Sequence, residues 1–181
     1  DGPWGTCHEE AGVWDPQWRP SSQSRVRYLT DQGFLGPRVL VVHGVQMTAA
    51  DLQTLLASGA TLVTCPRSNQ RTGAGEPPIA EFYASGVPVA VGTDSLASTP
   101  DLNMFAELAA VRALAPSVPA RAILDSATRQ GAVALGFGDD YGTIAPGKRA
   151  PLLAVSIPPG TDDVEEYLVS GVAEDKIGWV E

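Results

Sequence analysis

Three short apolar runs alternate with helical patterns between residues 38 and 91, and this alternation restricts the fold more than any single residue does. Arg38-Val-Leu-Val-Val42, Thr61-Leu-Val-Thr-Cys65 and Val87-Pro-Val-Ala-Val91 read as strands whose starts lie 23 and 26 residues apart, the length of one strand-plus-helix unit. Between them, residues 48–57 read as a helix capped by Thr48 and stopped by Gly59, and residues 78–84 as a helix ended by Gly86. Near-continuous Val, Leu and Ala in the strands predicts burial on both faces, as in a parallel sheet covered by helices. The fold class is therefore α/β.

The flanks are less regular. Residues 1–37 carry Trp4, Trp14, Trp18, Tyr28 and Phe34 among Pro, Gly and Ser, with one short helix ending at Gly33. Helical spacing recurs over residues 102–114 and 120–135, the second helix following Pro119 and closed by Gly136. Beyond Gly142 the texture changes to short β segments at 142–145, 152–157, 167–171 and 177–180, a small appendage separate from residues 1–141.

Composition narrows the function. The 181 residues are 44% hydrophobic, enough for one or two packed domains, and no apolar run approaches the roughly 20 residues that cross a bilayer. A net charge of −9 repels phosphate backbones and anionic membrane surfaces, so neither nucleic acid nor membrane is an expected partner. Two cysteines, Cys7 and Cys65, cannot form a disulfide framework, and a cytoplasmic setting is expected. The chain opens on Asp1-Gly-Pro rather than Met, which reads as a piece cut from something longer.

In parallel α/β folds ligands gather at the carboxyl ends of the strands. Those ends carry His43, the run Cys65-Pro-Arg-Ser68-Asn69, and Asp94 in Val-Gly92-Thr-Asp94-Ser. His43 precedes Gly44, so the chain can turn sharply and leave an imidazole in the mouth above the strands; it is either a proton-transfer group or a histidine satisfied by a carbonyl. Asp94 is either a turn or helix cap, or a metal ligand and proton acceptor. The glycine-containing stretch 70–76 reads as a loop that covers the site or as an ordinary surface loop, and Gly73-Ala-Gly75 lacks the spacing of a dinucleotide fingerprint. His8-Glu9-Glu10 reads as the solvent side of a helix, and with two histidines in all the chain contains neither His-x-His nor His-Glu-x-x-His.

Taken together, Val-Val-His43-Gly, Thr-Cys65-Pro-Arg-Ser68-Asn69 and Val-Gly92-Thr-Asp94-Ser resemble strands six, seven and eight of the amidohydrolase superfamily, in its cytosine-deaminase-like and chlorohydrolase-like branch. Tyr141-Gly-Thr-Ile-Ala-Pro-Gly-Lys148-Arg is similar to that family's lead into its small β domain. The resemblance covers residues 34–157. It implies the last third of a (β/α)8 barrel of TIM type over residues 1–141, with 142–181 belonging to the β domain. It further implies a hydrolase acting on the non-peptide C–N bond of a heterocycle, amide or amidine, through a water activated by a divalent metal, zinc with Fe2+ as the alternative. On this resemblance His43 contacts substrate and the attacking water, Asp94 is both catalytic and the metal ligand, and Ser68 and Asn69 bind substrate.

The family's first-strand His-x-His and its fifth-strand His and Glu have no counterpart in this chain, and Pro151 stands where Ala-Asp-Leu is usual. The expectations are thus an N-terminally truncated enzyme, inactive as the isolated chain, taking a small-molecule substrate and able to form a homo-oligomer. The alternatives are a non-catalytic α/β module or degenerate barrel half that pairs with a partner chain, and an open doubly wound sheet.

Overall fold

The computed structural model describes residues 3–15, 17 and 22–180; Trp18 and the opening Asp1-Gly2 lie outside them. Two helices, α1 (Pro3–Glu10) and α2 (Arg25–Asp31), precede the repeat predicted from the sequence, β1 (Leu40–Val42), α3 (Ala49–Ser58), β2 (Thr61–Thr64), α5 (Ile79–Ala84) and β3 (Val89–Val91), into which an unexpected short helix, α4 (Pro66–Thr72), is inserted after β2. Then come α6 (Met104–Leu114), α7 (Ala120–Ala127), α8 (Arg129–Ala134), β4 (Leu153–Val155), α9 (Val164–Val169) and β5 (Ile177–Trp179). None of the described helices is long and apolar enough to cross a membrane.

β1, β2 and β3 form one parallel sheet in that spatial order, with Val42 opposite Val63 and Thr64 opposite Val91. The register brings the carboxyl ends of all three strands to one edge. Each helix between them starts and stops for local reasons. Thr48 and Asp51 form a reciprocal capping box at the start of α3, and Gly59, at φ 74°, ends it in the left-handed conformation. Leu52 and Leu55 of α3, Ile79 and Phe82 of α5, Leu62 of β2 and Val89 of β3 then bury together, joined by Leu108 and Val111 of α6 and Ile123 of α7.

Four local expectations are corrected. The helix expected over residues 120–135 breaks at Thr128 (φ −122°, ψ −90°). There the Ser126 and Thr128 hydroxyls donate to the Ala122 and Leu124 carbonyls, engaging oxygens of the preceding turn. Residues 167–171 are expected as β, but α9 takes in 167–169 and ends at Val169. The Asp163 carboxylate accepts from the Glu166 backbone N–H, and Glu165 and Glu166 fill the first turn, which favours a helix over the β propensity of Tyr-Leu-Val. Residues 142–145 are an irregular bend, not a strand: Gly142 sits at φ 90°, outside the β region, and so close to the Thr128 carbonyl that a Cβ would stand 3.0 Å from it. Finally, residues 66–72 are helical, so only the end of the stretch 70–76 is loop.

β1 departs from the expected burial on both faces. β3 is buried throughout, whereas Leu40 and Val42 of β1 are 38% and 46% exposed. β1 is an edge of the sheet, and its Val42 side chain faces an open cavity. In the last forty residues β4 and β5 make a separate antiparallel pair, while α9 packs against α6 and α7, with Val169 fully buried and Arg112 bridging to Glu166 at 2.8 Å.

Phe82 has no exposed surface, so Phe82→Ala should cost about 3–5 kcal/mol in urea unfolding. Leu56→Ala, on the outer side of α3, should stay within about 0.5 kcal/mol of the parent. Equal losses at the two positions would contradict this placement of the core.

Candidate functional site

The sheet continues its ladder one residue past two of its strands. His43 donates its backbone N–H to the Val63 carbonyl at 2.8 Å, and Gly92 donates to Thr64 at 3.0 Å. The chain then leaves the sheet abruptly. His43 has φ 72° and Asp94 φ 61°, and these two are the non-glycine residues at positive φ among the described residues. An L-residue held there costs about 1–2 kcal/mol, and such strain concentrates where a side chain must be aimed. After His43 the turn is completed by Gly44, where a Cβ would approach the Leu62 side chain to 3.0 Å and Phe82 to 3.1 Å, so no other residue fits without displacing the core.

These turns bring together what the sequence placed on separate strands. His43 Nε2 lies 3.9 Å from Asp94 Oδ2, an ion pair when the imidazole is protonated. Ser68, on the first turn of α4, donates its hydroxyl to the same Oδ2 at 2.6 Å, and Ser98 donates to it at 2.9 Å. These two hydrogen bonds hold the Asp94 carboxyl below its ordinary value, outweighing partial desolvation, with His43 adding a smaller pull in the same direction. The group is a carboxylate at neutral pH, with Oδ2 engaged by both hydroxyls and Oδ1 not engaged by them.

All four predicted residues, His43, Ser68, Asn69 and Asp94, line one cavity of about 730 Å³. Its far wall comes from Val26 and Leu29 of α2, which is fastened to α3 by a hydrogen bond from Ser24 to Asp51. Two buried polar atoms here lack partners: His43 Nδ1 and Asn69 Nδ2. An unpaired buried donor costs free energy unless something supplies an acceptor, so Asn69 is equipped to bind a ligand atom, whereas the Ser68 proton is committed to Asp94. Ala74, in the loop after α4, also faces the cavity. His8 is exposed on α1 and is not part of the lining.

The donor set for a metal is incomplete. Among the described residues no three His, Cys, Asp or Glu side chains come together to hold an ion. Cys65 is buried at the head of α4 and its thiol is pushed up to about 11 by burial, next to the Asp94 and Glu107 charges, so it stays protonated. Asp94 fits a divalent cation as one ligand, and further ligands have to come from outside these residues.

Sequence reasoning missed the layer beneath the cavity. Glu107 of α6 is completely buried. Its Oε2 accepts the Arg67 backbone N–H at 3.3 Å, and its Oε1 lies 3.7 Å from the Arg67 guanidinium without a hydrogen bond. Arg67 in turn grips Asp101 with two bonds of 2.8 and 3.0 Å. Burial pushes the Glu107 carboxyl up to about 7 against the pull of Arg67. The available signal was an acidic residue three positions after Met104 and four before Val111, on the face of α6 that the helical period turns inward.

The family profile for amidohydrolases matches residues 17–175. The 5-methylthioadenosine/S-adenosylhomocysteine deaminase of Halobacterium salinarum is 37% identical over 162 residues, 83% of this chain and 37% of the relative. The enzyme of the same name from Teredinibacter turnerae is 40% identical over 136 residues, 71% of this chain and 31% of the relative. A zinc-bound adenosine deaminase from Xanthomonas campestris superposes on 97% of this chain with a TM-score of 0.82 at 30% identity, using 40% of its own length. The chain thus spans about a third to two fifths of the length of these proteins.

Two outcomes follow from the strain and the burial. His43→Gly removes the left-handed penalty of about 1–2 kcal/mol against up to about 1 kcal/mol of added unfolded-chain entropy, so its unfolding free energy should be unchanged or higher; a clear loss would mean the imidazole holds the fold together. Because the folded Glu107 value is raised above its ordinary 4.5, its contribution to stability is complete below pH 4.5 and lost as pH rises towards about 7. Urea titrations across that window should show Glu107→Gln flattening the decline; an unchanged slope would contradict it.

Proposed function

Since the chain belongs to the amidohydrolase family, we propose that it is the strand-six-to-eight part of a metal-dependent deaminase that hydrolyses the exocyclic amine of a 6-aminopurine nucleoside or a related heterocycle. The observation that carries this is the pair His43 and Asp94, each held at positive φ on the end of its strand and facing the other at 3.9 Å across one cavity. The adenosine-type names of the relatives and the structural neighbour support the substrate class. The unreversed order of three parallel strands, and the bare edge and exposed side chains of β1, support a barrel wall whose other strands come from outside these residues. On this reading residues 1–141 belong to the barrel and 142–181 to the small β domain.

The reaction adds water at the amine-bearing carbon and expels ammonia, leaving a carbonyl on the ring. A divalent cation, zinc by analogy with the structural neighbour and Fe2+ as the alternative, supplies Lewis acidity that makes water a nucleophile near neutral pH. Asp94 would hold that cation as one of its ligands and, as a carboxylate, would take up a proton from the attacking water. The hydroxyls of Ser68 and Ser98 keep that carboxylate charged and fix its plane. His43 is placed to hydrogen-bond the oxygen that gains charge as the ring carbon becomes tetrahedral. Asn69 Nδ2, unpaired in the wall, donates to a ring nitrogen or sugar hydroxyl.

In the protein that joins this chain to the remaining strands, ammonia release from adenosine or 5-methylthioadenosine should require zinc and be abolished by a chelator. Asp94→Asn and His43→Ala should each lower kcat/KM by about 10²–10⁴-fold. The 181 residues alone should show no turnover. Activity that survives Asp94→Asn would overturn the assignment, and an intact protein without zinc-dependent activity would favour a non-catalytic module.

A further inference from the structure

α4 begins without a side-chain cap of its own. Cys65 occupies the capping position and its thiol makes no hydrogen bond there. The Arg67 N–H in the first turn is instead taken by a carboxylate forty residues away in sequence, Glu107, from the first turn of α6. The residue after that N–H is Ser68, whose hydroxyl holds Asp94, and the next is Asn69, whose amide faces the cavity. The side chain of Arg67 is tied down independently by Asp101, which also accepts the Asn103 N–H at 2.9 Å just before α6 begins. The start of α4 is thus fastened to the start of α6 at two points, and the inner one is a carboxyl group with no exposed surface.

A buried carboxyl is a poor choice for stability alone. Its desolvation is opposed by one backbone N–H and a guanidinium 3.7 Å away, and Oε1 has no hydrogen-bond partner. An apolar residue of similar volume would fill the same space without that cost. What an apolar residue cannot do is fix the height and rotation of the first turn of α4.

We propose that Glu107 is a positioning residue, which through the Arg67 backbone N–H sets where Ser68 and Asn69 stand and so aims the Asp94 carboxylate into the cavity. The inference rests on the proposed hydrolytic role for its effect on rate, but its geometric content is independent of that role. Small displacements of a reacting group cost about 10²-fold in rate, so the consequence of losing the Glu107 contact falls on kcat.

The test uses the protein that joins this chain to the remaining strands, with three substitutions. Glu107→Met keeps the length but cannot accept; Glu107→Asp keeps the charge but withdraws it; Glu107→Gln keeps an acceptor at the same reach. Glu107→Met and Glu107→Asp should lower kcat for aminopurine deamination by about 10- to 100-fold, with KM within about threefold. Glu107→Gln should restore kcat to within about threefold of the parent, and Ser68→Ala should mask most of the Glu107→Met effect in the double variant. Crystal structures of the variants supply the second readout. The Ser68 Oγ to Asp94 Oδ2 distance should open beyond hydrogen-bond range in the Met and Asp variants and close again in the Gln variant. If Glu107→Met does not fold, Glu107→Asp decides. A variant that loses only thermal stability, with the Ser68–Asp94 bond and kcat intact, overturns the inference. If the parent protein shows no deamination, the functional reading fails while the crystallographic distances still judge the positioning role.

Discussion

The structure turns on one carboxylate oxygen. Asp94 Oδ2 accepts hydrogen bonds from Ser68 and Ser98 and stands within ion-pair range of His43, so residues from the ends of three successive strand units meet at a single atom. Each partner reaches it by a different route: Ser68 from the first turn of α4, Ser98 from the turn after β3, His43 from a left-handed residue after β1. The parallel register makes this convergence possible, because it brings the three strand ends to one edge of the sheet. Without the two hydroxyls, desolvation would act on the carboxylate with less to oppose it, and its charge would be harder to keep.

The cost of that convergence is spread over the surrounding fold. Two L-residues sit in the left-handed region, and two polar atoms of the cavity wall, His43 Nδ1 and Asn69 Nδ2, are unpaired. A glutamate with no exposed surface underlies the wall. Each of these is unfavourable alone, and they occur within one connected region, while the core around Leu55, Leu62, Phe82 and Ile123 is apolar and close-packed. Local sacrifice against a well-packed background is the pattern expected where a fold has been shaped for chemistry rather than for stability.

Much of this was legible in the residues. The strand-helix alternation placed β1, α3, β2, α5 and β3, and the Thr48 cap and the glycine at 59 fixed α3 closely because those signals are local and chemically specific. The strand-end rule identified His43, Ser68, Asn69 and Asp94 as one group, and all four line the same cavity. What the sequence reading missed has local causes in two places and tertiary ones in two others. The break at Thr128 rests on hydroxyl-to-carbonyl bonds that compete with the helix, and α9 on a cap and acidic turn upstream of a β-rich tripeptide. The exposure of β1 is a property of what lies beside it, and Glu107 became visible only when α6 was docked against α4. A charged residue on an apolar helical face was the one advance signal of that hidden layer.

The account stands or falls on whether Asp94 is a metal ligand rather than a turn acceptor alone. Diffraction at the zinc absorption edge, from crystals of the protein that joins this chain to its remaining strands, measures this directly. The account predicts an anomalous peak at about 2.0–2.2 Å from Asp94 Oδ1, with Oδ2 still bonded to Ser68 and Ser98 and His43 facing the ion across the cavity. A zinc peak elsewhere, with Asp94 engaged by its two serines and nothing more, would contradict it.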